Sequence, residues 1–126
     1  MIDPASFTNR QLRGGFVIIA VEFTEAPLRD ALDREALAMT RVRGREFHIT
    51  LRSGLSQEEI SVSLYHEVLE AATVASISPP KRVQECAEGD FERAARDAHA
   101  QWGPASPETL DRLLQFYDFP AEYGHG

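Results

Sequence analysis

Three ionisable side chains lie within five consecutive positions of an otherwise apolar stretch, and their spacing is suited to metal chemistry. They are His66, Glu67 and Glu70, in the segment 60–77 (ISVSLYHEVLEAATVASI). In a helix, residues four apart lie one turn above each other on the same face, so His66 and Glu70 could both bind one divalent metal ion. Glu67, beside them, could then act as a base.

These residues also belong to a polar stripe at helical spacing, which supports a second interpretation. The exposed face of an ordinary amphipathic helix would show the same pattern without any metal site. The rest of the chain must therefore decide between the two interpretations. The stripe consists of Ser56, Glu59, Ser63, His66, Glu67, Glu70 and Thr73.

Length and composition indicate one globular domain over residues 1–126, with enough apolar residues for a core. The formal net charge of −7 argues against electrostatic binding to nucleic acid or to an anionic membrane. Cys86 is the single cysteine, so an intramolecular disulfide is excluded. The N-terminus does not resemble a signal peptide and no segment reads as a membrane span, which predicts a cytoplasmic protein.

The first half of the chain predicts two strands with a helix between them. Residues 1–15 read as an irregular lead-in, and the apolar run 16–23 predicts a strand inside a sheet. Alternating residues in 45–51 predict a half-exposed strand at the sheet edge. Between them, a helix is predicted to open at 24–27, where Pro27 suits a first turn. Its expected apolar stripe is Leu28, Ala31, Leu32, Ala36 and Met39.

The central helix has clear start and stop signals. Ser56 and Glu59 have the spacing of a capping box, and Pro79 follows the expected end near Ile77. The segment 81–89 reads either as a loop or as a short helical turn.

Two C-terminal helices are predicted next, over 90–103 and 106–119. Asp90 could cap the first, and Ser106 the second. Residues 120–126 read as a frayed tail, where His125 is expected to be a surface residue.

Basic residues alternate around the second strand and could share one face. For Arg41, Arg43 and Arg45, a solvated strand edge is favoured over a clamp for an acidic substrate group. His48 reads as a surface residue of the same strand.

The segment from the second strand into the central helix, HITLRSGLSQEEISVSLYHEVLE, resembles zincin-type metallopeptidases of the ImmA/IrrE kind. The matching features are a strand, a short turn, the Ser56-initiated helix and Leu64 before His66 and Glu67. The likeness covers roughly residues 45–71 and continues more weakly through 90–102. It implies a minimal α+β zincin-like domain, with a small mixed sheet whose edge strand borders the substrate cleft, an active-site helix and two C-terminal helices.

The motif departs from the family at one position, because Glu70 stands where the family has its second histidine. The sequence is therefore HExxE rather than HExxH. A carboxylate can bind zinc, but each anionic ligand makes the metal a weaker Lewis acid. A ligand set rich in oxygen also relaxes the preference for zinc over manganese or iron.

The resemblance implies a third metal ligand from the next helix. The segment FERAA matches the family's Glu-x-x-Ala element, which makes Glu92 the candidate. His99, seven residues later on the same helical face, could bind the metal instead or hydrogen-bond a developing oxyanion. Asp90 is a further candidate, although a capping role suits it better.

The implied protein is a metal-dependent hydrolase of peptide or amide bonds with a peptide or protein substrate. His66, Glu70 and Glu92 would bind the metal, with zinc the first choice and manganese or iron as alternatives. Glu67 would take a proton from the attacking water, and His99 or an arginine would stabilise the oxyanion. The rival hypotheses are a zincin-fold binding module without catalysis, and a generic α+β domain without a site.

Overall fold

A four-stranded mixed sheet packed against helices forms the core of the protein, which confirms the predicted α+β class. The computed structural model describes residues 1–30 and 32–122. Its strands are β1 (Arg10–Gln11), β2 (Val17–Thr24), β3 (Leu28–Arg29), β4 (Glu35–Ala36), β5 (Ala38–Arg43) and β6 (Glu46–Arg52), and its helices are α1 (Gln57–Ala75), α2 (Lys81–Gln84), α3 (Glu88–Trp102) and α4 (Pro107–Phe116).

The order of strands in the main sheet is β1-β2-β6-β5. Strands β2 and β6 are parallel, and the two outer pairings are antiparallel. The interior position predicted for the strand at 16–23 is confirmed by β2. The prediction that the strand at 45–51 forms an edge is wrong, because β6 lies between β2 and β5. The edge strands are β1 and β5.

The predicted helix that opens at 24–27 is wrong. Strands β3 and β4 pair there as a small antiparallel hairpin, and β5 follows β4 directly. The apolar residues at helical spacing there do not form a buried stripe, because Leu32 is 71% exposed and Met39 41%. Ala31 lies outside the described residues. The alternation in β5 decides its structure, since Ala38, Thr40 and Val42 are turned inwards and the residues between them are exposed.

The lead-in is more ordered than predicted. Residues Pro4–Phe7 and Arg13–Gly15 form two short 3₁₀ helices, and β1 between them pairs with β2. Phe7 and Leu12 are buried in the core. Residues 1–15 therefore contribute a strand to the sheet and two side chains to the core.

Helix α1 is the centre of the molecule, between the sheet on one side and α3 and α4 on the other. The predicted capping box is confirmed: the Ser56 side chain accepts from the Glu59 amide, and the Glu59 carboxylate accepts from the Ser56 amide. The helix ends at Ala75, slightly before the predicted end. Most of its surface is buried, so the few ionisable side chains in its middle are held among apolar neighbours.

The C-terminal helices begin close to the predicted positions. Helix α3 starts two residues earlier than expected, and the Asp90 carboxylate caps it by accepting from the Ala87 amide. Ser106 caps α4 as predicted, although α4 ends at Phe116. His125 lies outside the described residues. Among the helices described, none combines the length and the apolar character that a membrane crossing needs.

Candidate metal centre

A cleft of about 520 Å³ runs between the edge strand β5 and the buried helix α1. Residues of the β3–β4 hairpin and of the first half of α3 also contribute to its lining. Residues that could do chemistry lie on its wall beside apolar ones. The ionisable side chains of the lining are Asp30, Glu35, Glu58, Glu59, His66, Glu67, Glu70, Glu88, Glu92 and Arg96.

His66 projects from the middle of α1 with only 9% of its surface exposed, and carboxylates surround its ring. Its Nε2 lies 2.9 Å from Glu88 Oε1 and 3.3 Å from Glu70 Oε2. Its Nδ1 lies 2.9 Å from Glu92 Oε1. In the metal-free protein, a doubly protonated imidazolium would donate to carboxylates on both sides.

His66, Glu70 and Glu88 form a group that could hold a metal ion. One donor atom from each lies within 4.8 Å of the other two. Neighbouring ligands of a tetrahedral zinc ion, with bonds of about 2.1 Å, are roughly 3.4 Å apart. The two distances from His66 Nε2 are already close to that spacing, so this donor set fits a small divalent cation. The predicted pairing of His66 with Glu70 is thus present, with Glu88 as a third donor.

Glu92 contacts the opposite ring nitrogen. Its Oε1 lies 2.9 Å from Nδ1 of His66, while its Oε2 forms an ion pair with Arg96 Nη2 at 2.9 Å. The donor group at Nε2 therefore does not include Glu92, which the resemblance had suggested as a ligand. The residue one turn earlier on α3, Glu88, is in that position instead.

Glu67 lies next to this group, on the side of β5. Thr40 Oγ1 donates to Glu67 Oε1 at 2.9 Å, which links the edge strand to α1. Burial disfavours the charged carboxylate and raises the pKa of Glu67 to about 7, although Thr40 and His66 oppose the increase. A carboxylate with this pKa can both accept and release a proton near neutral pH.

The cluster also shifts the pKa values of its other members. Burial disfavours the charged form of His66, but its hydrogen bonds with Glu70 and Glu92 outweigh burial and raise its pKa to about 9. The hydrogen bond with His66 lowers the pKa of Glu70. The side chain of Glu88 hydrogen-bonds with Glu70, which raises the pKa of Glu88. This excess of carboxylates around one imidazole favours the binding of a further positive charge.

His99 is engaged elsewhere. Its Nδ1 lies 2.7 Å from Ser61 Oγ, and the same oxygen accepts from the Ala105 amide at 2.8 Å. His99 is seven residues from Glu92, about 10 Å along the helix axis, and is not in the cleft lining. The structure thus brings His66, Glu67 and Glu70 together with Glu92, and leaves His99 apart. Asp90 caps α3 and does not join the cluster.

The arginines of β5 and of the turn before β6 lie away from the cleft. Arg41 and Arg43 are exposed on the sheet face opposite α1, beside His48. Arg45 lies in the turn after β5, where its guanidinium stacks 4.3 Å above the Phe16 ring. His48 Nε2 lies 3.2 Å from Glu22 on the outer sheet surface, in agreement with its prediction as a surface residue.

Two residues of the site, Glu88 and Thr40, were missed by sequence reasoning. Glu88 fell in a segment read as a loop or turn, although its spacing of four from Glu92 is the helical signal that could have identified it. Thr40 directly follows Met39, the last residue of the predicted helical stripe, and the sequence predicts no role for it. Inward-facing and more exposed residues alternate on both sides of Gly44, which has a φ of 63°. This pattern indicates a β-hairpin.

Comparisons of the chain with protein-family models, with curated proteins and with solved structures found no match. The resemblance to zincins of the ImmA/IrrE kind therefore stays a prediction. What can be said of function must come from the geometry of the cleft.

Proposed function

We propose that this protein is a zincin-like, metal-dependent hydrolase that acts on peptide or amide bonds. The observation that carries the proposal is the group formed by His66, Glu70 and Glu88 in a cleft, with the partly buried carboxyl of Glu67 beside it. Such a combination of metal donors and a base of raised pKa is what metal-assisted hydrolysis requires.

The chain's own residues have distinct roles in this proposal. A bound divalent ion would act as a Lewis acid on the substrate carbonyl and make water more acidic. His66 Nε2, Glu70 and Glu88 would hold that ion. Thr40 fixes one oxygen of Glu67, which leaves Oε2 to take the proton of the attacking water. The pKa of about 7 places Glu67 near the optimum for that transfer at neutral pH.

The edge strand offers a way to bind an extended peptide. The Arg52 amide donates to the Leu37 carbonyl, and in an antiparallel pair the hydrogen-bonded positions then alternate along the strand. The backbone groups of Ala38, Thr40 and Val42 are therefore turned away from β6, towards the open edge. A peptide paired with this edge would extend along the cleft, beside Glu67.

The donor set suits zinc but does not select it strictly. One imidazole and two carboxylates supply one nitrogen and at least two oxygen donors. Oxygen donors favour harder ions such as Mn²⁺, whereas the imidazole suits zinc and iron. We propose zinc as the first candidate, with manganese and iron as the alternatives.

A second function is supported by the same edge strand. The open edge of β5 and the adjoining cleft could hold a peptide without any chemistry, and Glu70 in place of a histidine would weaken the Lewis acidity of a bound metal. In this alternative the protein is a catalytically inactive zincin-fold binding module. Binding would then not depend on the ionisation of Glu67.

The proposal can be tested by metal content and activity on purified, untagged protein. Near-stoichiometric metal is expected after loading with zinc or manganese, and His66→Ala should abolish it. Glu88→Gln should weaken binding, whereas Glu85→Gln is the matched control, because Glu85 is exposed three residues earlier. Hydrolysis of a quenched fluorescent peptide library provides the activity readout.

Glu67→Gln separates the two functions. The hydrolase predicts that this variant keeps its metal and peptide binding but loses turnover by roughly a hundredfold or more. The binding module predicts no turnover in either protein and unchanged peptide affinity. Wild-type protein that takes up none of the three metals would refute the hydrolase.

A further inference from the structure

One face of α3 bears three charged side chains at intervals of four residues, each in a different relation to His66. Glu88 faces Nε2 of the imidazole, Glu92 contacts Nδ1, and Arg96 contacts Glu92. Residues four apart in a helix lie on one face, so these three side chains form a single stripe on α3. Glu92 and Arg96 are not part of the group of metal donors that His66 Nε2 forms with Glu70 and Glu88.

The two carboxylate oxygens of Glu92 contact different partners. Oε1 lies 2.9 Å from His66 Nδ1, and Oε2 lies 2.9 Å from Arg96 Nη2. Arg96 therefore pairs with the Glu92 oxygen that does not contact Nδ1, and in this arrangement Glu92 does not face Nε2.

This contact fixes how His66 can bind a metal. A carboxylate that accepts from Nδ1 keeps the proton on that nitrogen when the imidazole is neutral, and the lone pair is then on Nε2. Nε2 is the nitrogen that faces Glu70 and Glu88. The same contact makes the ring a stronger donor and restricts its rotation.

We propose that Glu92 and Arg96 are positioning residues. They hold the His66 ring so that Nε2 faces Glu70 and Glu88, the other two proposed metal ligands. This inference rests on the proposed metal site and deepens it. It assigns Glu92 to the orientation of a ligand instead of to the ligand set. A purely structural role, in which these charges only tie α3 to α1, would affect stability without affecting metal affinity.

The test measures the affinity for Zn²⁺ and Mn²⁺ by competition with a chelating dye. Glu92→Ala should weaken affinity about tenfold to a hundredfold, the range typical of such outer contacts. Glu92→Gln, which keeps an acceptor without the charge, should lie between it and the wild type. Arg96→Gln should weaken affinity by several-fold, and Arg96→Lys should restore part of it. Arg93→Gln is the control, because Arg93 is exposed on the same helix and forms an ion pair with Asp90, at 3.7 Å, outside the His66 cluster.

A second readout identifies the nitrogen that binds the metal. Long-range ¹⁵N–¹H spectra of the zinc-loaded wild type should show a protonated Nδ1 and a coordinated Nε2 on His66. Glu92→Ala should show a mixture of ring states or a broadened signal. Thermal unfolding of the metal-free variants separates a positioning role from a structural one, since the positioning role requires the affinity to fall more than stability explains.

Three results would overturn the inference. Unchanged affinity in Glu92→Ala, with binding still lost in His66→Ala, would leave the metal site intact and remove the positioning role. Lost binding in Glu92→Ala, with normal binding in Glu88→Gln, would make Glu92 a ligand. No binding by the wild type would instead overturn the metal site itself, and the positioning role with it.

Discussion

Glu67 occupies a position in α1 that opposes the stability of the protein. Its side chain is partly buried, and burial raises its pKa from an ordinary 4.5 to about 7. The folded protein therefore binds more protons than the unfolded chain between these values. The contribution of Glu67 to the free energy of unfolding is therefore most favourable below about pH 4.5 and decreases as the pH rises to about 7.

Glu67→Gln should stabilise the metal-free protein at pH 8, because it removes a buried charge and keeps an acceptor for Thr40. We expect the melting temperature to rise by roughly 3–8 °C at pH 8 and by little at pH 4.5. Differential scanning calorimetry at both pH values measures this. Glu25→Gln, at an exposed position outside the helices, should change neither value. An equal rise at both pH values would argue against burial of the charge.

His66 predicts how metal affinity depends on pH. Its contacts with Glu70 and Glu92 raise its pKa to about 9, above the ordinary 6.5, even though burial opposes the charge. These contacts stabilise the metal-free fold fully below about pH 6.5, and that stabilisation is lost as pH rises through 9. A metal needs the neutral ring, so it competes with this proton.

Zinc affinity should therefore increase by about tenfold per pH unit between pH 6 and 8. Calorimetric titration in buffers of different ionisation enthalpy gives both the affinity and the number of protons released. We expect close to one proton released from His66 in this range. An affinity independent of pH would show that His66 is not a ligand.

At the scale of the elements, β5 turns the cleft into a candidate peptide site. Ala38 is the first residue of this strand, and its amide is turned towards the open edge. Proline is tolerated at such a position, since no ladder hydrogen bond within the sheet is lost. Ala38→Pro should therefore remove one donor for a bound peptide and leave the fold intact.

The affinity of metal-loaded Glu67→Gln for an extended peptide should fall about tenfold when Ala38→Pro is added. Fluorescence anisotropy with a labelled peptide measures it. Arg41→Ala is the control, since that side chain is exposed on the opposite face of the sheet. Equal affinities in the presence and absence of the proline would mean that peptides do not pair with β5.

The contact between α3 and α1 at His99 predicts a structural role for this residue. Ser61 is fully buried, and its hydroxyl lies between His99 and the Ala105 amide. His99→Ala should lower the free energy of unfolding by about 1–2 kcal/mol, because the hydroxyl loses a partner. Urea denaturation measures this loss, with the exposed Gln101→Ala as control. Zinc affinity should stay unchanged, and a loss of affinity or of turnover without a loss of stability would return His99 to the site.

The sequence predicts those contacts whose partners are close together along the chain, and it does not predict those whose partners are far apart. The capping box of Ser56 and Glu59 and the pairing of His66 with Glu70 are contacts within one turn, so spacing alone reveals them. Thr40 lies 27 residues before Glu67, and no local pattern joins the two.

The segment 24–39 was misread for a related reason. Its apolar residues match a helical period by coincidence, and the exposure of Leu32 and Met39 in the folded chain shows that these two do not belong to the core. Glu88 was missed because it lies 22 residues from His66, across a turn whose structure the sequence leaves open. Local signals thus identified the central helix, while the assembly of the cleft depends on tertiary contacts.

At the scale of the whole molecule, charge should select the substrate. The net charge is −7, and the described lining of the cleft contains eight carboxylates and one arginine, Arg96. Internal contacts offset part of this charge, since Asp30 pairs with Arg34 and Glu35 with Arg52. One divalent ion would neutralise only part of the remainder. The cleft therefore stays negative and should favour basic peptides.

A peptide with lysines or arginines should bind metal-loaded Glu67→Gln more tightly than the same peptide with glutamates at those positions. The difference should be about tenfold or more at low salt and should shrink as ionic strength rises from about 20 mM to about 500 mM, because salt screens charges over such distances. Glu58→Gln should reduce the preference, whereas Glu25→Gln, at an exposed position outside the lining, should not. Equal binding of both peptides at low salt would mean that the charged wall does not contact the ligand, and peptide pairing with β5 alone would then have to account for recognition.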